Sequence, residues 1–113
     1  MTDLGISLLA WGLSAFFLFG AALNVRPPES IRSNYARWGY PNWFHYVTAG
    51  LEFAVAILLI PSGTRFLGAA LGATIMFAAL LTVLYYREYP LSVAPALVLI
   101  ATAALAWITP WPS

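Results

Sequence analysis

The sequence predicts an all-α fold, an integral membrane four-helix bundle with a short interfacial helix in its first loop. Three observations carry that expectation. Of 113 residues, 62% are hydrophobic and 8% charged, far from the balance of a soluble domain. Four apolar runs, residues 4–23, 43–60, 65–86 and 91–108, are each long enough to cross a bilayer as a helix, which takes about 20 residues. Between the first two lies a polar and aromatic stretch with a helical period of its own. The length leaves room for one transmembrane domain, 1–113.

The first run follows Asp3 instead of the basic region of a secretory signal peptide, so it reads as a retained membrane helix. Gly20, Ala21 and Ala22 thin its end and let a neighbour approach. Residues 24–42 then bring Pro27, Pro28, three arginines and Glu29. Within them Ile31, Tyr35 and Trp38 recur at i, i+4 and i+7 and share one face of a short helix lying on the membrane surface. Gly39, Tyr40 and Pro41 end that element, and Asn42 is placed to cap the second span. The turn 61–64 offers Ser62 or Thr64 as a cap for the third. That helix opens with small residues four apart, Gly68 and Gly72 with Ala69 and Ala73, the signature of close helix packing. Tyr85, Tyr86 and Tyr89 form an aromatic belt before the fourth span, which tolerates Pro95 in its first turn and ends near Trp107 and Trp111.

Composition excludes several kinds of chemistry. Without cysteine there is no thiol–disulfide exchange, Cys-ligated cluster or Cys-based zinc site. One histidine and four acids fall short of a di-iron carboxylate set, so no metal site is expected. Five scattered arginines with no lysine make no nucleic-acid patch.

Glu52 stands apart. It lies in the middle of the second run, whose 18 residues span about 27 Å at ~1.5 Å per residue, so a carboxyl falls within the hydrocarbon region. An ionisable group there costs roughly 2.5–3.5 kcal/mol on insertion scales and therefore faces protein or trapped water. It is the candidate catalytic residue, the alternative being an acid that only fixes helix packing. Counting back from the outer helix ends puts Trp11, Glu52 and Thr102 at one depth, with Ser14 and Thr74 close by, and makes the Trp11 indole or a threonine hydroxyl the expected partner of the carboxyl. A second layer gathers Asn24, His45, Thr82, Tyr85 and Arg87 at the opposite ends. His45 shares the Glu52 face, seven residues and ~10.5 Å away along the axis. Trp11, Asn24, His45, Glu52, Tyr85 and Arg87 are the candidate ligand-binding residues, with Gly68 and Gly72 as packing positions. Arg26, Arg32, Arg37 and Arg87 fall on one side of the membrane and Arg65 on the other, which places the first and third loops in the cytoplasm and both termini outside it.

The end of the first span (Gly20 to Asn24), the Trp38-Gly39-Tyr40-Pro41 turn, Gly50-Leu51-Glu52, Gly68 to Gly72, and Met76 with Ala79 together resemble the DoxX-like family of small four-helix membrane proteins over nearly the whole chain. That family often carries a basic residue at the end of its first helix, where this sequence has Asn24, with Arg26 close by. The resemblance implies Glu52 as the matching acid of the second helix and a likeness to a membrane subunit of thiosulfate:quinone oxidoreductase, in a bacterial inner membrane. The expected function is to hold a quinone or other apolar small molecule near Glu52, as partner or accessory subunit of a membrane redox system. An acid in a dry site can donate or relay the proton that quinone reduction requires. Two alternatives stand beside it: a non-catalytic interaction subunit, docking on a larger membrane complex or a second copy through the Gly68–Gly72 face, and an intramembrane lipid isomerase.

Overall fold

The computed structural model describes residues 3–109. Five α-helices, α1 (Asp3–Val25), α2 (Glu29–Arg37), α3 (Phe44–Leu59), α4 (Arg65–Tyr85) and α5 (Val93–Ile108), follow in order, with a 3-10 turn at Tyr89–Ser92 leading into α5. Trp111 and the C-terminal Ser113 lie outside the described residues. α1, α4 and the Tyr89–Ile108 segment are long and apolar enough to cross a membrane, and α3 is a shorter apolar helix between them. The fold is a membrane helical bundle, and α2 is the short helix of the first loop.

The four long helices run up and down. α1 packs chiefly on α3, α3 on α4, and α4 on α5, with a thinner α1–α5 contact closing the ring. The core draws Leu13 and Phe17 from α1, Val55 and Leu59 from α3, Met76 from α4 and Leu105 from α5. Outward-facing positions are apolar as well, including Phe19, Leu97, Ile100 and Trp107, which is what lipid as solvent demands. The small residues of α4 are used inside the chain. A Cβ on Gly68 would stand 2.9 Å from the backbone nitrogen of Leu59, and one on Gly72 would meet Phe17 and Val55 at 3.1 and 3.2 Å. Backbone is the obstacle at Gly68, so α3 and α4 can approach this closely only without a side chain there.

The end of α3 is capped from the next helix. Its last carbonyls are taken by the start of α4: the Thr64 hydroxyl donates to Leu58 and the Arg65 guanidinium donates to Leu59 and Ile60. Arg65 is buried by this role. The expected side-chain caps are not made. Trp43, not Asn42, is the N-cap of α3, and Thr64 occupies the N-cap of α4 while its hydroxyl points back to α3.

The helix ends are not level. Ser14 donates to the Ala56 carbonyl at 2.7 Å, and Glu52 lies against Gly20, so antiparallel α1 and α3 are paired with Glu52 six residues nearer the loop end of α1 than Ser14. α1 therefore projects beyond the short α3 on the side of the N-terminus. Counting from assumed flush ends placed Glu52 beside Trp11, whereas this pairing separates them by about nine residues of α1, roughly 13 Å.

Candidate functional site

Glu52 faces α1 and is 5% exposed. α1 makes room by lacking a side chain opposite: a Cβ on Gly20 would overlap Oε2 of Glu52. One turn further along α1, Asn24 supplies the partner. Its Nδ2 donates to Oε1 of Glu52 at 2.7 Å and to the Gly20 carbonyl at 2.9 Å, which uses both amide protons. Its Oδ1 accepts from the Tyr35 hydroxyl at 2.8 Å, and its backbone carbonyl accepts from Nδ1–H of His45 at 2.7 Å. Asn24 thus joins α1 to α3 twice and to α2 once. An acid and an amide at these positions satisfy each other away from water, where either alone would carry a desolvation penalty.

Tyr35 extends the chain into α2. Burial pushes its phenol above the ordinary tyrosine value; a hydrogen bond with Thr48 opposes this, and Glu52 and Tyr40 nearby add to it. The phenol stays neutral at physiological pH and remains a donor. The ring stands edge-on to Trp38, Tyr40 and Phe44, and Tyr40 stacks flat on Phe44 with centroids 4.4 Å apart. Beneath this aromatic cluster lies a cavity of about 330 Å³ between α2, α3 and α4. Ile31, Tyr35 and Trp38 roof it, Ile75 and Ala79 line its depth with exposed Leu51 at its edge, and Asn24, Asn34, Tyr40, Thr48 and Thr82 bring polar atoms to its wall.

α2 is latched over that cavity from the far side. Arg37 pairs with Glu88, the Trp38 indole N–H donates to the same carboxylate at 2.6 Å, Tyr86 donates to the Trp38 carbonyl, and the Tyr40 and Thr82 hydroxyls are bonded at 2.7 Å. Arg87 places Glu88 for this. It takes the left-handed conformation (φ 57°) just after α4, where Glu88 N–H returns to Val83 and Arg87 N–H to Leu84. Arg37, and then Trp38, hold the Glu88 carboxyl below the usual carboxylate range. A depressed value means that the latch is intact above the ordinary carboxylate pKa and is lost only as pH falls through the lowered one.

Asn24, His45 and Glu52 are therefore brought together, with Thr82 on the cavity wall. The others stand apart. Trp11 is 48% exposed on the lipid side and Tyr85 79%, and exposed Arg87 acts through its backbone. Thr102 is fully buried but donates within α5 to Val98 and Leu99, so neither it nor Trp11 partners Glu52. Sequence reasoning missed Tyr35 as the third member and the Glu88 latch. The signal for the first was present, since the predicted face of Ile31, Tyr35 and Trp38 is the one that roofs the cavity.

Helix order, apolar surface and a buried acid define a small helical-bundle integral membrane protein. The sequence matches the DoxX-like family over residues 8–106, and the chain belongs to that family. No curated protein and no solved structure matches it.

The Gly20–Glu52 contact generates a paired prediction. Gly20→Ala forces the carboxyl off Asn24 and should destabilise the bundle by about 1–3 kcal/mol. Gly50→Ala, whose Cβ meets nothing within 4 Å, should be neutral or slightly stabilising. Unfolding of both variants in mixed micelles checks this, and equal behaviour would show that Glu52 does not need the space.

Proposed function

We propose that the cavity beneath α2 binds an apolar small molecule with a polar head, of the quinone class, and that the protein serves a membrane redox system as an accessory subunit. The observation that carries this reading is the cavity itself: aliphatic in its depth, aromatic at its roof, with a few polar groups converging at one end, the usual make-up of a small-molecule site. Asn34 supports it, since its Oδ1 is taken by Arg37 while the amide protons remain to meet a carbonyl oxygen. The Tyr40–Thr82 hydroxyl pair is a second contact for a polar head.

In this reading Glu52 is a positioning residue. Its carboxyl reaches the cavity through Asn24, and a carboxamide does not pass a proton along as a hydroxyl or water does. Glu52 orients Asn24, Asn24 orients Tyr35, and Tyr35 forms the wall. Docking through the Gly68–Gly72 face is disfavoured, because Leu58, Leu59, Phe17 and Val55 already fill it.

Two outcomes are expected. Ala79→Phe fills the cavity and should abolish retention of a ubiquinone analogue by purified protein, with the bundle still folded; unchanged retention would place the ligand elsewhere. With four arginines on the loop side against Arg65, the site belongs at the cytoplasmic face and both termini outside, in a bacterial inner membrane. Reporter fusions should read outside at Ser113 and inside at Arg32, and a cytoplasmic signal at Ser113 would reverse the orientation.

A further inference from the structure

A second recess, of about 300 Å³, opens on the other side of the Tyr35–Tyr40 wall, lined by Arg32, Asn42 and His45 among others. Its polar groups are uncommitted in a specific way. Arg32 makes no side-chain hydrogen bond or ion pair among the described residues, whereas Arg37 on the next turn of α2 is held by Glu88 and Asn34. His45 donates through Nδ1 to the Asn24 carbonyl, which orients its ring; in the neutral imidazole Nε2 is then the acceptor left over, and His45 lines the recess. The recess therefore offers a guanidinium, a carboxamide and an oriented imidazole within one concavity.

We infer that this recess binds a phosphate ester carrying a free hydroxyl, the Arg32 guanidinium taking the phosphate oxygens and Nε2 of His45 accepting from the hydroxyl. A planar guanidinium is suited to phosphate, and the acceptor discriminates headgroups that have a hydroxyl from those that have none. Such an ester is available either as a glycerol-bearing anionic lipid headgroup or as a soluble glycerol phosphate. The inference is independent of the quinone cavity, which lies beyond the aromatic wall.

The test uses the full chain in detergent, titrated with phosphatidylglycerol, phosphatidylmethanol and phosphatidylcholine in mixed micelles, and with glycerol 3-phosphate in solution. Saturable binding of phosphatidylglycerol is expected, several-fold tighter than phosphatidylmethanol, which lacks the hydroxyl. Arg32→Gln should weaken it about tenfold, the scale of one lost charge-assisted bond, while Arg26→Gln, on the same loop but outside the recess, should not. Competition by glycerol 3-phosphate supports the site with a soluble ester as its source; binding of the lipid alone supports it with the headgroup as its source. Equal losses in Arg32→Gln and Arg26→Gln would show general surface attraction and overturn the site. Equal affinity for phosphatidylglycerol and phosphatidylmethanol would overturn the assignment to His45, and absence of saturable binding by any of these probes would overturn the whole inference.

Discussion

A carboxyl group inside a lipid-embedded bundle must be matched, and the match between Glu52 and Asn24 sets the terms for the rest of this structure. The 2.7 Å bond fixes how far α3 slides along α1, and it requires glycine at position 20 because the carboxyl occupies the space where a Cβ would stand. The Ser14–Ala56 bond sits six residues away and holds the same register. Three polar contacts between otherwise apolar helices, the His45–Asn24 bond being the third, specify one pairing where side-chain packing alone allows neighbouring ones, since lipid solvates apolar surface about as well as a facing helix does.

From that register follows the placement of α2. Asn24, in the last turn of α1, turns one oxygen toward Tyr35 and its carbonyl toward His45, so the first loop returns over the α3 start. Glu88 secures the same end of α2 from the α4 side, through Arg37 and Trp38. A short helix of nine residues with a polar outer face would be marginal alone. Tied on two sides of its last turn, it covers a cavity with its apolar face. The cavity at the loop end of the bundle is thus bounded by a helix held through one buried acid, Glu52, and one partly exposed acid, Glu88.

The fold class was legible in the sequence because its signals are local and redundant. Four apolar runs declare membrane helices, and the i, i+4, i+7 spacing of Ile31, Tyr35 and Trp38 marks α2 and its inward face. Glu52 was conspicuous for the same reason, being an acid in a run of apolar residues. Its partner was less accessible. Depth counting assumed helices flush at their outer ends, but α1 projects past the end of α3 there, and the resulting offset carries Glu52 away from Trp11 and toward Asn24. Arg37, Glu88 and Trp38 meet across about 50 residues of sequence, and no periodicity encodes that meeting. Close packing at Gly68 was readable from the small-residue motif, whereas the choice of α3 as its partner required the tertiary structure.

Glu52 and Asn24 act as one unit, and a double-mutant cycle on unfolding free energy measures their coupling directly. Asn24→Leu leaves a buried carboxyl without its donor, Glu52→Leu leaves a buried amide without its acceptor, and the double variant leaves neither group. The predicted result is a coupling of at least about 2 kcal/mol, with the double variant less damaged than the sum of the two single ones. Losses that add within about 0.5 kcal/mol would contradict the claim and reduce the Glu52–Asn24 contact to an incidental neighbour pair.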